Sequence, residues 1–337
     1  WDLYYPDLTD PDYDKLWDGD IDKWKAAGKK VVVYKTVKAA DVWEKICQSA
    51  WRSAEPGLHF IERSNKRSNT WYFEKLIATN PCGEQPLGAW AVCNLGAVNL
   101  SAFVNSDGEF DYADLEDKVR IAIRMMDNVI DATGYYFPEN KEQQMGIRRT
   151  GLGTMGLGDA LIKMKLAYGS DEAQPVIEKI YKTIRDSAYQ TSAELAAERG
   201  AFPNFDREKY LQGWFIKKLP QKVRDTIAKN GIRNAVLLTQ APTGTTSLVS
   251  GVSSGIEPVY DFAMVRRDRT GEHTIYHPLY QEWKEQNPDV EKAPEYFVSA
   301  NDLTPEEHVK VQGLIQDYTD SSISKTVNAP NAHTVDE

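Results

Sequence analysis

Three side chains with complementary chemistry stand two positions apart: the carboxamide of Asn80, the thiol of Cys82 and the carboxylate of Glu84. In an extended or loop-tip backbone, side chains at i, i+2 and i+4 leave the chain on one side, which would set the thiol between the amide and the acid. A thiol exchanges hydrogen or electrons, a carboxylate takes up a proton, and a carboxamide holds a polar substrate. Pro81 fixes its own φ and keeps Asn80 out of the helical region, while Gly83 leaves the backbone free to bend. The segment is therefore expected to be an exposed, shaped loop rather than a helix. A second thiol, Cys93, follows eleven positions on, in Val92-Cys93-Asn94-Leu95-Gly96. Taken singly, a cysteine beside glycine is usually a small inert hydrophobe and a glutamate near proline a solvated charge. Their joint occurrence with Asn80 carries the catalytic expectation.

Far downstream, residues 234–239 read as a buried strand running into Thr243-Gly244-Thr245-Thr246-Ser247. Closely spaced N–H groups and hydroxyls after a strand can wrap a diphosphate without any cation, although alone such a stretch is more often an ordinary turn. Ser253, Ser254 and Gly255 extend it, and Glu257-Pro258 is expected to shape the turn behind it. Gly151-x-Gly153-x-x-Gly156 formally matches a dinucleotide-binding fingerprint. Residues 142–149 before it are mostly polar, whereas such a loop follows a strongly apolar strand, so an NAD-dependent oxidoreductase is kept only as an alternative.

The two loops, in this order, resemble the catalytic (large) subunit of ribonucleotide reductases, the glycyl-free kind whose radical cysteine is flanked by Asn and Glu. The Pro-Cys-Gly-Glu-Gln wording, the short Cys82–Cys93 spacing and the Pro-Thr-Gly loop look most like the adenosylcobalamin-dependent class II enzymes. The resemblance runs from Trp1-Asp2-Leu3-Tyr4-Tyr5-Pro6-Asp7 to Thr326-Val327-Asn328-Ala329-Pro330. It implies an α/β fold: part of a ten-stranded α/β barrel with a cysteine-bearing finger loop, residues 1–337 forming one partial barrel. It implies that Cys82, oxidised to a thiyl, removes hydrogen from C3′ of a ribonucleotide, that Glu84 takes the 3′-hydroxyl proton, and that Asn80 holds the same sugar. Residues 243–247 would bind the substrate phosphates, and the glycine run would let a barrel strand pass close to its neighbours.

The same resemblance implies adenosylcobalamin as cofactor, or else a radical supplied by a separate metal-cofactor subunit, and no metal site in this chain. A thioredoxin- or glutaredoxin-type reductant would restore the thiols. Cys93 matches one member of the family's redox pair, but the other has no counterpart, since Cys47 lies in a helical pattern at the wrong distance. With that cysteine and the first and closing strands outside these residues, complementary reductase polypeptides are expected, as in a split or intein-interrupted enzyme. A catalytically silent barrel subunit is the other alternative. Whether the substrate is a diphosphate or a triphosphate stays open.

Elements must position these loops. The first thirty residues, rich in Asp, Tyr and Trp and interrupted by Pro6, Pro11 and Gly19, read as loops and turns. Helical spacing predicts an amphipathic helix over 39–54 with Cys47 as a buried helix-face thiol, and residues 57–63 look like a short buried strand. A strand is expected over 92–103 and a helix over 113–132 with Ile121, Ile123, Met126, Val129 and Ile130 on its apolar side. Helices follow over 160–166, 171–199 (capped by Gly200), 280–285 and 305–318 (capped by Thr304), with a last strand over 322–327. Alternation of the two element types predicts α/β. With 337 residues and 41% hydrophobic content the chain can bury a large core. The net charge of −10 argues against a nucleic-acid surface. Three cysteines make no disulfide framework, and no apolar run approaches a membrane span or a signal sequence, so a reducing, cytoplasmic setting without membrane is expected.

Overall fold

A computed structural model describes residues 1–269, 271–330 and 332–334. Two compact units emerge, one of Trp1–His59 with residues 333–334 and one of Phe60–Ala332. In the first, the expectation of loops over the opening thirty residues is corrected. Asp2–Pro6 pairs antiparallel with Val31–Thr36, and short helices, Tyr13–Leu16 and Ile21–Ala26, lie between them. Tyr4, Tyr5 and Val31 to Val33 are strong strand formers, a signal hidden by the surrounding Asp and Pro. Trp24 is buried and donates its indole N–H to the Lys30 carbonyl at 2.8 Å. Helix Ala39–Ser53 forms as expected, but none of its residues is buried, and Cys47 is only half-covered. Its apolar face stays open, with Trp43 and Trp51 exposed.

The second unit opens with a further correction: Ile61–Arg67 is a helix, not a buried strand, with Lys66 and Glu62 paired at 2.7 Å one turn apart. Its centre is a parallel array. Leu95–Asn99 pairs with Gly151–Met155 from Leu95↔Gly151 to Asn99↔Met155. Parallel bridges Leu152↔Leu238 and Gln240↔Ile323 continue it through 236–240 to 322–324. Backbone bonds such as Thr239 N–H to Leu152 O (3.1 Å) and Ser324 N–H to Gln240 O (2.9 Å) stitch these segments. Parallel neighbours require long crossovers, and helices supply them: Tyr112–Ala132 and Pro138–Ile147, then Leu157–Lys163, Gln174–Arg199 and Gln221–Asn230, then Gly244–Ser250, Pro278–Gln286 and Pro305–Gln316. The mixed α/β class is as expected, and among the described residues the linked array is four segments wide.

Capping follows the sequence closely. Gln174–Arg199 ends at Gly200 with φ 84°, and Thr304 and Glu307 close a capping box on Pro305–Gln316. On Tyr112–Ala132 the buried stripe is Leu115, Val119, Ile123, Met126 and Ile130, whereas Ile121 and Val129 are 61% and 41% exposed. That helix is apolar on two faces and only one meets the packed helix Gln174–Arg199. Fully buried Asp127 is held by Arg148 (2.8 Å), Arg199 (3.1 Å) and Arg233 (3.3 Å), the kind of pairing a buried charge requires. Among the described residues no helix is long and apolar enough to cross a membrane.

Candidate active site

Residues 80–85 form the tip of a hairpin whose strands are Ala78–Thr79 and Pro86–Leu87. The Gly83 N–H donates to the Asn80 carbonyl at 3.0 Å, with Pro81 and Cys82 as the central residues and Gly83 at φ +80°. Asparagine first, proline second and a left-handed glycine last is the chemistry such a turn asks for. The Asn80 carboxamide oxygen accepts the Gln85 N–H at 2.9 Å, so this side chain is spent partly on the turn itself. The exposed, shaped loop expected from the sequence forms as a tight turn at a hairpin tip, and its three side chains differ in exposure. Cys82 is exposed, Asn80 is half-buried and Glu84 is 1% exposed.

The tip is pinned to the parallel array through the Glu84 carbonyl, which accepts from the Thr239 hydroxyl (2.6 Å) and the Ser322 N–H (3.0 Å). Glu84 Oε2 and Gln85 Nε2 are buried without a protein partner. An unpaired buried carboxylate oxygen is costly to leave unmet, which makes it a place for a substrate hydroxyl or water. Glycines permit the close fit: a Cβ on Gly151 would stand 2.6 Å from Gln85 Nε2, and one on Gly153 would stand 2.3 Å from the Thr239 carbonyl. Gly151 and Gly153 thus lie within the strand Gly151–Met155, not in a turn after it, unlike the phosphate-binding glycines of a Rossmann loop.

Cys93 enters the same place from the start of strand Leu95–Asn99. The Gly151 N–H donates to the Asn94 carbonyl at 2.9 Å, and the parallel register carried back from Leu95↔Gly151 sets Cys93 alongside Arg149. Arg149 is buried and donates to Glu74 at 2.6 Å, which also accepts from Thr70 (2.6 Å) and Gln143 (3.1 Å). Partial burial pushes the Cys93 thiol above the ordinary cysteine range, the Glu84 charge pushes it further, and Arg149 opposes both. Cys93 remains exposed at the surface.

The second loop behaves differently. Thr243 adopts the left-handed region at φ 51° and precedes the helix Gly244–Ser250. Its hydroxyl accepts the Gly255 N–H at 2.8 Å, and the buried Ser247 hydroxyl meets Ser254 at 2.8 Å. Of the five predicted phosphate ligands, Thr243 and Ser247 therefore use their hydroxyls inside the fold, while Gly244, Thr245 and Thr246 stand exposed. A cavity of about 560 Å³ adjoins them, bordered by Pro242, Gly244, Ser253, Ser254 and His277. Glu257 does shape the turn behind the loop, through Lys325 at 2.5 Å and the Thr326 N–H at 2.7 Å. Sequence reasoning missed Gln85, Thr239, Ser322, Arg149 and Lys325. Gln85 stood inside the motif, but a lone lysine or arginine normally reads as a solvated charge and a lone threonine or serine as an ordinary strand or turn residue, so nothing marked the others.

A family model described as "Ribonucleotide reductase, barrel domain" matches residues 1–337. The chain is 35% identical to a vitamin B12-dependent ribonucleoside-diphosphate reductase of Thermoplasma acidophilum, the match covering 95% of this chain and 42% of that protein. A protein of the same description from Mycobacterium tuberculosis is 33% identical over 89% of this chain and 44% of its own length. The ribonucleoside-diphosphate reductase subunit alpha of Chlamydia pneumoniae is 33% identical over 74% of this chain and 26% of that protein. The chain thus spans less than half the length of these curated relatives.

Proposed function

The chain belongs to the ribonucleotide reductase barrel-domain family, and on that footing we propose that it carries the radical and proton-transfer residues of a ribonucleotide reductase within part of a ten-stranded barrel. The hairpin tip is the finger loop, and the four parallel segments are part of one half-barrel. One observation carries this reading: a turn that exposes Cys82 while burying the Glu84 carboxylate with one oxygen unpartnered, its charge acting on a second thiol, Cys93. Once Cys82 is a thiyl, it takes the C3′ hydrogen and becomes S–H, leaving a carbon radical on the ribose. Glu84 accepts the 3′-hydroxyl proton, and the 2′-hydroxyl leaves as water with a proton. Two thiols give up two electrons and close a disulfide, and Cys82 then returns a hydrogen atom to C3′. The net change is ribonucleotide plus two thiols to deoxyribonucleotide, disulfide and water.

Cys93 is one of these thiols. We place the other outside these 337 residues, whose three cysteines are Cys47, Cys82 and Cys93. A thioredoxin- or glutaredoxin-type protein would reopen the disulfide. Gly244, Thr245 and Thr246 receive the phosphates, and the relatives' names favour a ribonucleoside diphosphate. Those names also favour adenosylcobalamin, which when bound would supply the one-electron oxidation of Cys82. The fit rests on access, since Cys82 stands exposed at the turn.

Reconstitution tests the proposal. The 337-residue chain, mixed with the complementary reductase polypeptide, adenosylcobalamin and a dithiol, should convert ribonucleotide to deoxyribonucleotide, and the chain alone should not. Absence of product from the complete, folded mixture rejects the catalytic reading in favour of a silent barrel subunit.

A further inference from the structure

Lysine is rarely enclosed in a protein unless paired, and Lys325 is enclosed completely, its side chain 0% exposed. Its ammonium meets Glu257 Oε2 at 2.5 Å, His308 Nδ1 at 2.9 Å and the Thr326 carbonyl at 2.8 Å, which uses all three protons. An ammonium only donates, so His308 Nδ1 is the acceptor and its Nε2–H donates to the Ala300 carbonyl at 3.1 Å. The network thereby assigns the neutral Nε2–H tautomer. Glu257 Oε1 accepts the Thr326 N–H at 2.7 Å.

From Glu257 the contacts run directly to the hydroxyl-rich loop. The Glu257 N–H closes a turn on the Ser254 carbonyl at 2.9 Å, Ser254 meets the Ser247 hydroxyl, and the Gly255 N–H donates to Thr243. The same loop leaves the array at Gln240, which is bonded to Ser322 and Ser324, and Lys325 follows next in the chain. Strand, loop, turn and lysine thus form a closed frame. We propose that Glu257, Lys325 and His308 are a positioning unit that fixes the 243–247 loop in its oxyanion-binding shape, an inference that rests on the assignment of that loop to substrate phosphate. The unit touches no substrate and acts through Ser254 and Gly255.

The frame has a built-in titration. The charged groups facing His308 are Lys325, Glu257 and Glu307, and the Tyr168 ring lies 5.8 Å from the Lys325 ammonium. Burial, then Lys325, hold His308 below the ordinary histidine value. A proton on Nδ1 would remove the acceptor and set two cations in contact, so acidification should loosen the frame.

Hydrogen exchange at the Gly255 and Ser247 amides of the 337-residue chain reads this without any ligand. Glu257→Gln and Lys325→Met should exchange about tenfold faster at both, the scale of one lost charge-assisted bond. His308→Asn keeps an acceptor that cannot titrate. It should match the parent chain at neutral pH but lack the extra acceleration that the parent shows on acidification, after correction for intrinsic exchange. Unchanged exchange in Glu257→Gln, together with parallel pH profiles for the parent and His308→Asn, overturns the unit. Should Lys325→Met not fold, the other two variants still decide it. Calorimetric titration with pyrophosphate separates the underlying reading: weakening of at least about tenfold in Glu257→Gln supports both. No binding by the parent chain rejects the phosphate role of the loop and leaves the exchange data to judge the frame.

Discussion

The cysteine turn takes the shape of its tip, residues 80–83, from bonds among its own residues, Gly83 to Asn80 and Gln85 to Asn80, and is held from outside at Glu84 and Gln85. The loop at 243–247 borrows its shape from Ser254, Gly255 and, through them, Glu257 and Lys325. The difference teaches how each will fail. A locally closed turn tolerates change at its exposed tip, where the chemistry sits, and should lose function without losing form. A loop held from behind should lose form when residues remote from its ligand are changed.

The largest expected effect lies at the tip. Cys82→Ser should abolish nucleotide reduction in the reconstituted assembly while leaving the denaturation midpoint of the chain unchanged, because no bond of the turn uses the sulfur. A hydroxyl O–H is too strong for the hydrogen exchange. Measurable deoxyribonucleotide formation by the serine variant would sink the assignment of Cys82.

Next comes the strand on which both loops depend. Gly153→Ala places a Cβ 2.3 Å from the Thr239 carbonyl, against backbone that cannot swing aside. Overpacking of this severity should cost about 3 kcal/mol, read by urea denaturation. A variant as stable as the parent would mean that the segments slide apart freely, and the shared frame of the two loops would be lost with that result.

What was legible in the sequence divides along the same line. Asn80-Pro81-Cys82-Gly83 could be read as a turn because each residue supplies its own conformational preference, and Thr304 and Gly200 could be read as caps for the same reason. The orientation of Glu84 could not be read, because it depends on Thr239 and Ser322, which meet it only in the fold. The hairpin Ala263–Asp268 with Gly271–Tyr276 went unanticipated although its strands are adjacent in the chain, and the opening strand pair reads as loops because Asp2–Pro6 finds its partner only at Val31–Thr36. Ser247 looked like a phosphate ligand by type and position, yet burial and Ser254 had already claimed its hydroxyl.

That claim sharpens the comparison at smaller scale. Asn80→Ala removes the acceptor of the Gln85 N–H and should cost about 1 kcal/mol, with Asn80→Asp recovering most of it. Ser247→Ala should cost a similar amount by orphaning the Ser254 hydroxyl. Thr245→Val, exposed, should leave stability untouched and weaken phosphate binding only. Equal losses of binding in the Ser247 and Thr245 variants, with no loss of stability in either, would restore Ser247 as a direct ligand.

The smallest effect concerns Cys93, where the two charges nearest the tip act in opposite directions. Burial and the Glu84 carboxylate both favour the neutral thiol, and Arg149 favours the thiolate; the net direction is upward from the ordinary cysteine value. In a chain whose other cysteines are replaced by serine, the pH midpoint of iodoacetamide alkylation should therefore lie above that of a free cysteine. Glu84→Gln removes an anion and should move the midpoint down, while Arg149→Gln should move it up. The sign for stability follows by linkage: the folded thiol keeps its proton longer, so its contribution is complete below the unfolded value and is lost as pH rises towards the folded one. Should Glu84→Gln leave the midpoint in place, the carboxylate does not face Cys93, and the convergence of hairpin tip and strand start that supports the proposed redox site would have to be abandoned.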